Sequence, residues 1–482
     1  MHPRPRSRTF PCRALLALAA ALVVVLALPA GASAARNMEV SFMDDQLLLT
    51  ESPAQVNADI ATIASLGVDR LRISAFWEQI APTPASLTKP AGFNGANHMD
   101  PRYSWRVLDQ VVLSAVRHGL KLMISVSTPA PVWATGRNDR LWKPNVREFA
   151  DFSEAVARRY AIFADHYGIG NEPNQGVWLK PQRDSRGLFA PHHYRAMVQA
   201  AYPRIKAADP GSAALVGELA STGRTGGRAS TRNIRPLTFL RAMACRNKRY
   251  RPIRRGRCRG FTRVPIDALG HHPYSLLLAP NVRSISRDDA AINDGRRLVR
   301  VLDRLVRNRS LRPGRGRRLG IYYTEFGYQT NPPDPFAGVS LGQQRRYLEL
   351  SSFIAWRTPR VRGINQFRLT DGGLTGIGTQ RFKEFQSGLM FRDRRRKPAY
   401  NIFAHPFTIV GDRFWGQVRR GGAHSVRVER RPPRGGSFRR VAQVLTDSRG
   451  YFYFRLRGRR RGDYRYTYAN PTGRSGIVRV RR

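Results

Sequence analysis

Two glutamates stand at the ends of strand-like runs, each with neighbours able to hold a carboxylate ready for chemistry. Glu172 lies in GNEPN (170–174), just after the weakly apolar run YAIFADHYGIG, and Glu325 lies in YYTEFGYQT (322–330). A protonated carboxyl beside an ionised one is what cleavage of a glycosidic bond requires, one as acid for the leaving oxygen and one as nucleophile or base. Taken singly, each glutamate is more readily read as a solvated turn residue. Other polar or aromatic residues fall at or just beyond the ends of predicted strands: Arg72, Trp133, Asn171, His272, Tyr274, Gln366 and Arg368. Glu78 and Glu218 also follow predicted strands but lack flanking motifs, and read as supporting residues.

The elements that must position these residues follow from periodicity. From about Met38 to Arg368, short apolar runs alternate with amphipathic stretches, the pattern of βα units around a parallel sheet. Eight strands are predicted, at 38–42, 69–74, 120–126, a weaker one ending at Gly170, 213–217, 266–272, 319–325 and 363–369. Helix signals lie between them. In SPAQVNADIATIASLG (52–67), Ser52 is an N-cap, Pro53 occupies the first helical position and Gly67 stops the helix. SWRVLDQVVLSAVRHG (104–119) repeats this logic. Eight such units predict a (β/α)8 TIM barrel, whose site forms where strands end and βα loops begin. The mouths of the fourth and seventh strands then lie roughly across the barrel axis from each other, which brings Glu172 and Glu325 together. From about Phe407 the texture changes to period-two alternation with Gly, Pro and Asp turns, predicting a small, arginine-rich all-β sandwich over 407–482 after a barrel over 35–406.

With order and strand positions taken together, the chain from Met38 to about Pro406 resembles clan A glycoside hydrolases, families 39 and 5 in particular. NEPN (171–174) is similar to the fourth-strand motif, and the resemblance implies Glu172 as acid/base and Asn171 as a ligand of the sugar 2-hydroxyl. YTEFGYQT (323–330) is similar to the seventh-strand motif, implying Glu325 as nucleophile. HHPYS (271–275) resembles the sixth-strand element whose tyrosine, here Tyr274, contacts the nucleophile, with His272 orienting it or lining the subsite. LRISAFWEQIAP (71–82) fits the second-strand arginine, Arg72. The resemblance implies retention of configuration and no metal or organic cofactor. Arg72 and Tyr274 are expected to keep the pKa of Glu325 low, and burial with repulsion from Glu325 to keep Glu172 protonated. Trp133 either stacks on a sugar ring or packs its loop, and His271 reads as a core histidine. Many clan members end the eighth strand in tryptophan, whereas INQFRLTDGG (364–373) offers Gln366 and Arg368, the latter able to grip a carboxylated sugar or to pair with Asp371.

The N-terminus carries Arg4, Arg6, Arg8 and Arg13, then an apolar run from Ala14 to Leu28 and the triplet Ala32-Ser33-Ala34. This predicts a secretory signal peptide (1–34) cut near Ala34 and an exported, extracellular protein, with no later run long enough to span a bilayer. Cys245 and Cys258 are then expected to form a disulfide. With 83 Lys and Arg against 33 Asp and Glu the net charge is +50. The arginines are spread along the chain without zinc-finger, RNP-like or basic-region patterns, which argues against dedicated nucleic-acid binding. The expected partners are a carbohydrate substrate and an anionic cell-wall polymer met by the basic C-terminal part. Nothing in the sequence fixes an oligomeric state. The alternative function is a non-catalytic carbohydrate- or cell-wall-binding protein on a barrel scaffold.

Overall fold

The computed structural model describes residues 37–482 apart from Arg315, Arg317, Arg420 and Arg482, so the predicted leader lies outside the described residues. Eight parallel strands close a barrel: β1 (Glu39–Met43), β2 (Arg70–Phe76), β3 (Lys121–Ser127), β4 (Ala164–Ile169), β5 (Ala213–Ala220), β6 (Ala268–His272), β7 (Gly320–Tyr323) and β8 (Val361–Phe367). Closure comes from β1, which pairs with β8 (Ser41 opposite Asn365) and with β2 (Ser41 opposite Arg70). Seven helices cover it: α1 (Pro53–Ser65), α2 (Arg106–Arg117), α3 (Val146–Tyr160), α4 (Ala190–Ala208), α5 (Pro236–Met243), α6 (Gly295–Arg307) and α7 (Leu341–Arg357). The predicted start of α1 is realised, since Ser52 Oγ accepts the Gln55 N–H at 3.4 Å with Pro53 as first residue. Gly67 and Gly119, both at positive φ, follow α1 and α2, where a side chain would be strained.

Strand boundaries differ from expectation at two places that matter for the site. β5 runs on to Ala220, so Glu218 lies within the strand, at a register shift between Gly217 and Leu219. β7 stops at Tyr323, leaving Glu325 two residues beyond its end. The strand faces divide by parity. Val40, Phe42, Leu71 and Ile73 are fully buried in the apolar layer beneath the helices. Arg70, Arg72 and Ser74 share the opposite face, buried inside the barrel. The floor is ionic: Arg70 Nε lies 3.0 Å from Glu39 and its guanidinium also pairs with Asp165.

After a short helix, α8 (Pro398–Phe403), two antiparallel sheets face each other. One holds β9 (Phe407–Val410), β10 (Arg413–Gln417) and β13 (Tyr451–Arg455). The other is built on β11 (Ser425–Arg431), β12 (Arg439–Leu445) and β14 (Gly462–Tyr468), extended by the short β15 (Gly473–Arg474) and β16 (Val478–Val480). Phe407, Phe414, Phe452, Val428 and Tyr466 form the core between them. This unit docks through aromatic rings: Trp415 is fully buried against Phe353 and Trp356 of α7 and against Tyr451. The Tyr451 hydroxyl donates to Met38 O at 3.0 Å, and Arg449 reaches Asp69 at 3.1 Å. Cys245 and Cys258 form the expected disulfide, and Arg195 of α4 donates to Cys245 Sγ at 2.8 Å.

Trp415 belongs to the barrel's apolar core although it sits on a sandwich strand. Trp415→Ala is therefore expected to cost about 3–5 kcal/mol and to weaken both parts together. Urea unfolding followed by near-UV circular dichroism should show one transition moved to lower denaturant, and an unmoved barrel transition would contradict the shared core.

Candidate active site

The site is built outward from Arg72, fully buried on β2. Its guanidinium reaches five other strands or their loops, β1 among them through Met43 Sδ. Nε donates to Ser125 Oγ of β3 at 3.1 Å, and Nη2 donates to Asn171 Oδ1 beyond β4 at 2.8 Å and to Glu218 Oε2 of β5 at 2.6 Å. Nη1 stands 3.6 Å from Glu325 Oε2 beyond β7. Glu218, itself fully buried, also accepts the Ser125 hydroxyl at 2.9 Å. Two glycines make room for it. A Cβ on Gly168 would lie 2.3 Å from Glu218 Oε1, and one on Gly270 would lie 2.6 Å from its Cγ. Glu218 is thus the counter-ion of Arg72, in keeping with its supporting role. Glu78 is paired with Arg140, whose Nη1 donates to it at 2.6 Å.

Glu172 is held at φ 38°, in the left-handed region, by backbone bonds on both sides. Its N–H donates to Glu218 O at 3.0 Å, and its C=O accepts the Gln175 N–H at 2.8 Å. Asn174, fully buried, bonds Ala220 and Ile234 and so ties this turn to the end of β5. A backbone so constrained at a strained angle is the kind of feature that clusters at functional sites. The Glu172 carboxyl is 12% exposed. It accepts Gln175 Nε2 at 2.7 Å, and the Trp178 side chain also donates to it.

Opposite stands Glu325, 11% exposed, which accepts the Tyr274 hydroxyl at 2.7 Å. His272 joins the two: its Nδ1 is 2.9 Å from Glu172 Oε1 and 3.5 Å from Glu325 Oε2. Its buried Nε2 has no partner among the described residues, so Nδ1 makes all of its polar contacts, and these are with the two glutamates. One oxygen of each carboxyl and this nitrogen all lie within 4.8 Å of one another. Those three atoms are also a donor set for a cation, but the Arg72 guanidinium already supplies positive charge beside Glu325. A second grouping, His192 with Cys245 and Cys258, offers no thiolate because its sulfurs are bonded to each other.

Burial governs the protonation of the cluster. It pushes Glu172 up to about 8, with the Glu218 charge acting in the same direction and Arg72, Trp178 and Gln175 opposing. It also raises Glu325, assisted by Glu172, against His272, Arg72 and Tyr274. The expectation that Arg72 and Tyr274 keep Glu325 low is therefore not met: loss of hydration outweighs two favourable neighbours. Burial lowers His272, with Arg72 adding to the effect, which favours a neutral imidazole. His271 is a core residue, as read, with its Nε2 bonded to Ala290 O at 2.7 Å.

Three predicted site residues are placed elsewhere. Gln366 is opposite Phe42, whose ring packs on Phe403 outside the barrel, so Gln366 lies on the outer face and bonds Phe367 O and Ser387 O. Arg368 is buried and donates to Thr370 O and Glu384 O, with Asp44 at 3.6 Å. It does not pair with Asp371, which is held by Lys397 at 2.7 Å. Trp133 takes its packing alternative, with Nε1 bonded to Pro82 O and its ring against Trp77 and Phe93. The aromatic residues that do reach the cluster are others. Trp178 stacks on Phe76 from the end of β2, and Phe367 meets Tyr274 edge-on at 6.3 Å. Phe367 is opposite Met43, on the inner face, where the parity of β8 could have found it.

In fold the chain is similar to a family 39 glycoside hydrolase from the gut symbiont Bacteroides cellulosilyticus WH2, with a TM-score of 0.52 and 14% sequence identity over 88% of this chain and 79% of that one. A glucosidase from Croceicoccus marinus aligns with a TM-score of 0.48 and 12% identity over 88% of this chain and 94% of that one. No family profile and no curated protein matches the sequence. The likeness to clan A glycoside hydrolases read from the motifs thus holds for the architecture, a closed eight-stranded barrel followed by antiparallel sheets.

A raised carboxyl pKa means that the folded state binds a proton the unfolded chain has released. Stability contributed by Glu172 is full below its ordinary 4.5 and declines as pH rises toward about 8. Glu172→Gln removes that loss. The variant is expected to melt a few degrees above the parent at pH 8 and level with it at pH 4, by calorimetry; an equal difference at both pH values would contradict the assignment.

Proposed function

We propose that the protein is an exported, retaining glycoside hydrolase that cleaves O-glycosidic bonds in an oligo- or polysaccharide. The observation that carries this is the separation of the glutamates: oxygens of Glu172 and Glu325 lie within 4.8 Å of each other, across a barrel mouth, with His272 between them. Inverting enzymes need room for a water and hold their carboxyls about 6.5–9.5 Å apart, whereas retaining pairs stand about 5–5.5 Å apart.

The environments divide the roles. Glu325, touched by the Tyr274 hydroxyl and faced by Arg72, is the carboxyl best able to ionise and attack the anomeric carbon. Glu172, protonated up to about pH 8, gives its proton to the leaving oxygen as the glycosidic C–O bond breaks. A glycosyl ester on Glu325 results. Glu172, now a carboxylate, takes a proton from water, whose oxygen attacks the same carbon and releases Glu325. Asn171 suits a sugar hydroxyl, because Arg72 fixes its Oδ1 and leaves Nδ2 with no protein acceptor among the described residues.

Glu325→Ala is expected to lower kcat by several orders of magnitude without loss of fold, and a mechanism-based fluoroglycoside should label the parent at Glu325. Glu172→Gln should slow turnover most for substrates with poor leaving groups. Unchanged turnover in either variant would sink the roles. The kcat/KM profile should fall on its alkaline side near pH 8 as Glu172 deprotonates, and this limb should vanish in Glu172→Gln measured on an activated aryl glycoside. A limb that survives would mean that another group titrates there.

A further inference from the structure

The rim of the barrel mouth carries apolar side chains that no protein surface covers. Of the nineteen large apolar side chains exposed among the described residues, eight fall in the three consecutive loops after β6, β7 and β8. Leu276, Leu277 and Leu278 are 63%, 51% and 48% exposed, and Ile285 is fully exposed. Phe336 follows β7, and Ile377, 90% exposed, and Phe385 follow β8. Exposed apolar side chains concentrated in the loops beside a site mark a surface that meets something apolar.

The rim is joined to the reacting groups. Phe385 packs on Phe367, Phe367 on Tyr274, Tyr274 on Phe326 and Phe326 on Tyr328, whose hydroxyl donates to Leu278 O at 3.0 Å. Both exposed loops thus rest on one row of rings, and its middle member, Tyr274, holds Glu325. The loop after β6 is fixed as well as exposed. Asn293 Nδ2 donates to Asn281 O at 2.6 Å, and Asp294 accepts the Ser284 N–H at 3.0 Å.

Charge decides what the rim meets. Exposed Arg283 and Arg287 alternate with Val282 and Ile285, and exposed Arg381 and Lys383 flank Phe382 and precede Phe385. None of these four cations has a carboxylate within ion-pair distance among the described residues. Of the nearby acids, Asp288 is engaged by Arg241 and Asp294 by Arg297, while Glu384 is held by Gln46 and the Gly373 N–H and offsets part of the Lys383 charge, which leaves Arg283, Arg287 and Arg381 as the cations facing outward. Apolar tips interleaved with unneutralised Arg are the composition of segments that sit at an anionic bilayer, with side chains at the acyl boundary and cations at phosphates.

We infer that the rim formed by Leu276–Leu278, Ile285, Phe336, Ile377 and Phe385 docks the barrel mouth on an anionic lipid surface, so that the substrates are sugar headgroups displayed there. The substrate clause rests on the glycosidase reading; the docking does not.

The test is sedimentation of the full chain with phosphatidylcholine vesicles containing about a third phosphatidylglycerol, at 0.15 and 0.5 M NaCl. The parent should bind and keep part of that binding at high salt. Leu276→Ser/Leu277→Ser/Ile285→Ser, with a parent-like circular dichroism spectrum, should bind at least tenfold more weakly and lose all of it at high salt. Leu277→Trp should add emission that shifts to the blue with vesicles and is quenched by brominated lipid. Binding that is equal in parent and triple variant and vanishes with salt would overturn the proposal in favour of simple polycation adhesion, as would no binding. If docking holds while Glu325 takes no glycosyl label, only the catalytic reading fails.

Discussion

The buried Arg72–Glu218 pair is the constraint on which the site depends. Desolvating both charges costs several kcal/mol per ion, and the pair persists only because nearly every donor and acceptor finds a partner. Ser125, Asn171, Glu218 and Glu325 come from four strands or their loops, so satisfying one guanidinium sets the positions of all four. The requirement extends to residues with no chemistry of their own. Gly168 and Gly270 flank Glu218, and a methyl group at either would displace its side chain. The Glu172 N–H then bonds the Glu218 carbonyl, so the backbone that buries the counter-ion also presents the Glu172 carboxyl.

Burial is what makes both glutamates resist ionisation, and this arrangement leaves little to oppose it. Hydrogen bonds from Tyr274 and a guanidinium 3.6 Å away favour a charged Glu325, yet Arg72 is already neutralised by Glu218 at 2.6 Å. What reaches the mouth is a screened cation. The cluster accordingly favours one negative charge rather than two, and a neutral His272 between the carboxyls suits that single charge. One carboxylate and one carboxylic acid is also the state in which a double displacement begins.

Much of this was legible in the sequence. Alternating apolar runs and capped helices predicted eight strands in order, and Glu172, Glu325, Asn171, Arg72, His272 and Tyr274 were singled out and do converge. The misses have separate causes. In β8, attention to polar residue types pointed to Gln366 and Arg368, although strand parity puts Phe367 inward opposite Met43. Trp133 is absorbed by the rings of Trp77 and Phe93, and Trp178 reaches Glu172 instead; loop conformation decides between them, and no periodicity governs loops. The bulge at Glu218 was equally hidden, because it answers to a side chain on β2.

The charge of the chain takes a different meaning once its acids are located. Glu39, Asp44, Glu218 and Asp371 are buried and face Arg70, Arg368, Arg72 and Lys397. With 33 acids for 83 basic residues, and several of those acids neutralising cations inside the protein, the surface is left more one-sided than composition implies. Such a field draws the molecule toward any polyanion and raises its encounter rate, but a field spread over the whole surface cannot orient it. Orientation needs a short-range contact confined to one face. The apolar side chains after β6, β7 and β8, gathered on one side of the mouth in which Glu172 and Glu325 meet, are placed to supply such a contact.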